Sequence, residues 1–185
     1  MKIQKINIVL EGIKPIIFNQ FVSIKEEPPV KDKIPLIDGK VAIGGDRILA
    51  FLIDNKPERP PGCVKSFTTS KQYKAILPKV KAYVGFPLNI PILCEGKEII
   101  FKDFEKTPEV KVKKDKVCGG PVPMIVERPI IENWSMEFTI SLFENQEITF
   151  DKLKGWFEKG GIEVGFGCSR PVYGQFIVKE FKVIK

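Results

Sequence analysis

The chain carries 30 Lys and Arg against 23 Asp and Glu over 185 residues, and this net charge of +7 favours polyanions such as nucleic acid or anionic lipid headgroups. Its 43% apolar content suffices for the core of one domain, and nothing in it supports two. Histidine is absent, which removes Ser-His and Cys-His nucleophiles, the commonest general base and the commonest metal ligand, and with no paired-carboxylate or phosphate-loop motif the reading leans away from an enzyme.

Residues Lys5 to Glu11 alternate, with Ile6, Ile8 and Leu10 on one face, and predict a strand. Gly12 and Pro15 break it, Ile16-Ile17-Phe18 can continue it, and Val22 to Lys40 reads as an irregular, proline-rich excursion. A helix is expected over Asp46–Asp54, with Asp46 as its cap and Ile48, Leu49, Leu52 and Ile53 on its apolar face, closed by Pro57 and Pro60-Pro61-Gly62.

Between Gly62 and Lys81 the chain carries Lys65, Lys71, Lys74, Lys79 and Lys81 without an acidic residue, interleaved with Phe67 and Tyr73. Ammonium groups for phosphates and ring faces for bases are what a single-stranded nucleic-acid surface needs. The alternative is a solvated loop whose lysines bind nothing specific. A second strand is predicted at Ala82–Phe86. Residues 87–130, broken by six prolines, then read as an inserted β-rich, proline-rich segment of short strands and turns, including a hairpin around Glu95-Gly96-Lys97.

The last third is the clearest. Trp134, Met136, Phe138, Ile140 and Leu142 alternate with polar residues as a strand, and Thr149 caps a helix whose Phe150, Leu153, Trp156 and Phe157 form one stripe. Gly160-Gly161 is expected to end that helix. The loop Gly165-Phe166-Gly167-Cys168-Ser169-Arg170-Pro171 leads into a final strand, Gln175–Lys185, whose parity switch near Glu180 predicts a bulge.

Two strand–helix–strand units follow from this reading, with core halves at about 1–86 and 131–185. They give an α+β, ferredoxin-like (β-α-β-β-α-β) antiparallel sheet with both helices on one face and residues 87–130 inserted between the halves, all in a single domain 1–185. RNA-recognition modules of that topology bind single strands with aromatics on the free face of the sheet.

A helix running into Gly160, Gly161, Gly165, Phe166 and Gly167 and then a last strand resembles the RAMP superfamily of CRISPR-associated, ferredoxin-like RNA-binding proteins, in which that loop contacts RNA. The resemblance covers about the last fifty residues, with weaker support from the first strand. It implies a CRISPR effector subunit that binds single-stranded RNA or DNA, with protein subunits or further copies of itself as partners. Cleaving members of the precursor-processing branch typically use a histidine, so that activity is not implied. Arg128-Pro129 and Trp134, followed by Gly165-Phe166-Gly167, Arg170-Pro171, Gly174 and Phe176, are also similar to uncharacterised bacteriophage and prophage proteins. That likeness implies an interaction or assembly protein, including an inhibitor of a host nucleic-acid-binding complex.

The candidate contacts are Lys65, Lys71, Tyr73, Lys74, Lys79, Lys81, Gly161, Gly165, Gly167 and Arg170. The glycines have a second reading, as caps and as points where strands cross closely. Arg170 can fork to a phosphate or pair with Glu163, and Arg128 carries the same ambiguity with Glu127 and Glu132. Cys63, Cys94, Cys118 and Cys168 form no C-x-x-C pair and are expected as reduced thiols, so no metal and no cofactor is called for. No run of roughly eighteen apolar residues and no N-terminal leader pattern is present, and a soluble, cytoplasmic protein without membrane contact is expected.

Overall fold

The computed structural model describes residues 2–19, 28–52, 78–117 and 124–184. They form a mixed α/β fold whose strand pairs are all antiparallel. The alternating segments become the long strands β1 (Lys2–Gly12) and β10 (Ser135–Glu144), paired from Lys2↔Glu144 to Glu11↔Ser135. This register puts Ile6, Ile8 and Leu10 beside Ile140, Phe138 and Met136 on one buried face. On the other side of β1 lies β11 (Phe176–Ile184). Val9 pairs Glu180 while Leu10 pairs Val178, so Lys179 is the extra residue of a bulge where the sequence parity switches.

Among the described residues the main sheet has eight strands in the order β11-β1-β10-β6-β4-β3, with β5 on β10 and β7 on β6. Here β3 is Leu36–Ile37, β4 Lys40–Ile43, β5 Val84–Gly85, β6 Ile90–Cys94 and β7 Lys97–Glu98. Asp38-Gly39 and Glu95-Gly96 have positive φ at both central positions, the turn that matches the twist of a tight hairpin. The expected strand at 82–86 is shortened to β5, because residues 78–83 are helical. Residues 87–130 divide between two sheets: β6 and β7 join the main one, while β8 (Lys111–Val117) and β9 (Met124–Ile131) build a second with β2 (Ile16–Ile17).

Helices α1 (Gly45–Leu52) and α2 (Phe150–Glu163) cover the buried face. α1 starts one residue before the expected cap, so Asp46 lies in its first turn. Thr149 caps α2 as expected, its Oγ1 accepting from the Lys152 N–H at 3.3 Å. Phe51 of α1 meets Phe157 of α2 at 5.6 Å and Phe176 of β11 at 5.4 Å between ring centroids. The fully buried Lys33, in the 3-10 turn Val30–Lys33, donates to the Glu127 carbonyl at 2.7 Å and ties this turn to β9.

Gly160 and Gly161 do not end α2, which continues to Glu163. Gly161 is needed there for another reason: α2 passes so close to β11 that a Cβ would sit on the Phe176 carbonyl oxygen and 2.9 Å from its ring. Gly155, in the same helix, faces open space. Gly161→Ala is therefore expected to destabilise by about 1–3 kcal/mol through overpacking, and Gly155→Ala to stabilise by roughly 0.5–1 kcal/mol through helix propensity. Urea unfolding of the two variants checks this, and shifts of the same sign would contradict it.

Candidate nucleic-acid interface

The loop after α2 is sewn to the rest of the chain by backbone bonds. Gly165 N–H donates to the Gly160 carbonyl at 2.9 Å, Phe166 to Gly174 at 2.8 Å, Cys168 to Ile17 at 2.7 Å and Gly174 to Pro15 at 2.8 Å. It thus clasps the segment where the chain passes from β1 to β2, from one sheet to the other. Gly174 has φ +73°, and a Cβ there would collide with the Phe166 carbonyl. Gly165 and Gly167 also have positive φ, the latter against the Ile17 carbonyl. Close backbone crossing accounts for each of these glycines without a ligand.

Arg170 turns back into the loop, its Nη1 donating to the Gly165 carbonyl at 3.4 Å. Glu163, the alternative partner, pairs instead with Lys159 at 3.6 Å. Arg128 takes neither Glu127 nor Glu132, which pair with Lys114 at 3.0 Å and Lys111 at 2.9 Å. It reaches from β9 to the Ser169 hydroxyl at 3.3 Å and to Asp115 at 3.6 Å, and only 12% of its side chain is exposed. Register explains the gathering: Lys113 pairs Arg128 and Asp115 pairs Val126, so Lys113, Asp115 and Arg128 share one face of the β8–β9 hairpin. Lys113 holds Asp115 at 3.1 Å and places its ammonium 4.2 Å from the centroid of the Tyr173 ring.

The expected contacts thus fall into groups. Gly161, Gly165, Gly167 and Arg170 are brought together in and beside the loop. Lys79, paired with Glu147, and the exposed Lys81 lie on the helical segment 78–83. Lys65, Lys71, Tyr73 and Lys74 lie outside the described residues, as do Cys63 and Cys118. Sequence reasoning missed Lys113 and Tyr173 and did not connect Arg128 to the loop. The only signal was the brief Val110–Lys113 alternation, in a segment expected to be an insertion.

The free face of the main sheet has a different character from the aromatic one of an RNA-recognition module. Its middle holds Asn7, whose amide donates to Glu137 at 3.1 Å and Glu180 at 3.0 Å across three strands. The rings of Phe51, Phe138, Phe157, Phe166 and Phe176 lie in the core instead. Glu137 and Glu180 stand at the centre of this face, with Lys182 paired to Glu180 at 2.9 Å, whereas the β8–β9 hairpin presents Lys111, Lys114 and Lys116.

Cys94 and Cys168 are free thiols, and burial, with Glu95 and Glu109 nearby, pushes the Cys94 thiol up and away from thiolate chemistry. Among the described residues no three His, Cys, Asp or Glu gather to hold a metal ion, and no helix is long and apolar enough to cross a membrane.

The chain is similar over its full length to a chain in the cryo-EM structure of the Type III-B Cmr-beta bound to cognate target RNA, with TM-score 0.66 and 13% identity, covering 61% of that chain. A crystal structure of Cmr6 from Pyrococcus furiosus aligns over 95% of this chain and 97% of that one at 11% identity, but its TM-score of 0.45 is too low to support a fold relation. No protein-family model and no curated protein matches the sequence.

The carboxylates of the free face give a pH prediction. Hydrogen bonds from Lys182 and then Asn7 hold the Glu180 carboxyl below its ordinary range. A carboxylate with a lowered folded-state pKa contributes stability that is full above its unfolded pKa and is lost as pH falls through the folded one. The urea midpoint is expected to drop as pH falls below about 4.3, and Glu180→Gln should flatten that dependence. Identical pH profiles for the two proteins would show that Glu180 contributes nothing to acid sensitivity.

Proposed function

We propose that the chain is a non-catalytic RNA-binding protein of RAMP type that works as a subunit of a larger CRISPR effector assembly. The observation that carries this reading is the full-length fold likeness to a chain of a Cmr complex determined with its target RNA. The core supports the finer, ferredoxin-like assignment. With β1, β5, β10 and β11 taken as the first to fourth strands, β11-β1-β10-β5 gives the spatial order fourth, first, third, second, and the rings of α1 and α2 meet on one face.

The strand runs over the glycine loop and the lysines rather than across the free face, whose centre is taken up by Asn7 bridging Glu137 and Glu180. In this reading Gly161 and Gly165, buried against Phe176 and Gly174, shape the loop, the exposed Gly167 lets the strand approach its backbone closely, and Lys79, Lys81 and the 65–74 lysines neutralise phosphates. Arg170 holds the loop in shape. Lysine supplies most of the positive charge and binds phosphate as a point charge, without the fixed fork that reads a base edge, so recognition is largely independent of sequence.

Fluorescence anisotropy with labelled single-stranded RNA and DNA at two salt concentrations tests the proposal. The expected result is RNA binding at roughly micromolar concentrations or below that weakens steeply with salt, with DNA bound less well. Absence of RNA binding at low salt would sink it.

A further inference from the structure

We infer that Tyr173 and Lys113 form a subsite for a single nucleotide, the Tyr173 ring stacking its base and the Lys113 ammonium taking its phosphate. The inference rests on the RNA-binding reading above and assigns the residues that make the contact. Neither residue stands out in the sequence, and the fold brings them together from different elements, one from the glycine loop and one from β8.

The ring is held ready. The Tyr173 N–H donates to the Ser169 carbonyl at 3.3 Å, and Ser169 itself accepts from Arg128, so the turn carrying the ring is braced on the hairpin. Phe166, at the other end of the loop, shows the contrast: its ring is 3% exposed and committed to the core. Tyr173 is half-buried, with its ring at the boundary between loop and hairpin. A ring already in position loses little freedom when a ligand stacks on it.

The surrounding charge favours a nucleotide over an uncharged ligand. Lys111 is exposed on the same face of β8 as Lys113, and Lys114 and Lys116 are exposed on the other face of that strand. The pairs Lys111–Glu132 and Lys114–Glu127 lie on the surface, where ion pairs are weak and yield to a phosphate. Lys113 itself rests on the ring and on Asp115. At this partly exposed site the phosphate replaces Asp115 as the partner of the ammonium while the base, which stacks over a larger area than the ammonium covers, takes the ring. Every base has a π face and lysine reads no base edge, so this subsite requires a base without choosing among bases.

The test places a reporter on the platform. Trp134 and Trp156 are 2% and 3% exposed, so in Tyr173→Trp the new indole is the one that solvent and RNA reach. A uridine oligomer of roughly twelve nucleotides should quench its emission in step with binding, and the same oligomer made abasic should not. Tyr173→Ala should weaken binding about tenfold with an unchanged salt slope, Tyr173→Phe should bind like the parent, and Lys113→Ala should reduce the salt slope by about one. If the parent protein binds the oligomer but the emission of Tyr173→Trp does not respond and Tyr173→Ala binds equally well, the subsite is overturned and the RNA-binding reading stands. If the parent protein binds no single-stranded RNA, both fall.

Discussion

The stacking of Phe166 on Phe176, with centroids 4.9 Å apart and planes 13° from parallel, is the contact on which the rest depends. Around it stand Phe51 at 4.7 Å and Trp134 at 6.4 Å, so one loop residue touches α1, β11 and the residue just before β10. Each ring pair adds about 0.5–1.5 kcal/mol beyond simple burial. Truncating a buried Phe costs about 3–5 kcal/mol. With its second residue sunk in the core, the loop cannot lift away as a flap. Gly165 and Gly167 on either side supply the positive φ needed to drive a side chain inward and bring the chain back out.

That anchoring decides which parts of the loop are available for recognition. The backbone groups a glycine-rich loop normally offers to an anion are largely spent on Gly160, Ile17, Pro15 and on each other. What remains for a ligand is side chains at the loop's outer end, and these meet a hairpin that carries alternating charge. Trp134 reinforces the same junction, its indole N–H donating to the Lys14 carbonyl at 2.8 Å while the Gly12 N–H donates to the Trp134 carbonyl at 2.8 Å. The crossing from β1 to β2 is therefore pinned by β10 on one side and by the loop on the other.

Much of this was legible in the sequence, and the illegible parts have physical causes. Strands β1 and β10 bury one face and expose the other, so period two is written in their residues, and the bulge at Lys179 was readable as a break in that period; the cap at Thr149 was readable as a hydroxyl residue just before an apolar helical stripe. Residues 82–83 carried apolar, β-prone letters yet finish a helical turn, because a short segment takes its conformation from what it packs against. The two-residue strands β3 and β7 are too short to show a period, although the Asp38-Gly39 turn between β3 and β4 was a hairpin signal. Gly160-Gly161 read as a stop because glycine ends many helices, while the tight approach of Phe176 that keeps Gly161 inside α2 is invisible without the third dimension. The cluster of Lys113, Arg128 and Tyr173 escaped because it depends on the register of β8 against β9, which no local pattern specified.

The distribution of charge follows from the same geometry. The free face of the main sheet is the surface such a topology leaves open, yet its centre is held by Asn7 bridging Glu137 and Glu180, with Lys182 pairing Glu180 at 2.9 Å. These contacts neutralise the face internally and give the edge strand β11 charged residues and a bulge, both of which discourage another chain from pairing with it. The excess positive charge is left to the helical segment, the hairpin and the segments outside the sheet. A polyanion approaching from a distance is guided by net charge, and on contact it meets paired groups on the sheet and, near Tyr173, hairpin lysines such as Lys111 and Lys114 that are held only in surface ion pairs. Fixed backbone in the loop and adaptable side chains around it are complementary: the first keeps the Tyr173 ring in place, and the second leaves the hairpin lysines free to exchange their surface partners.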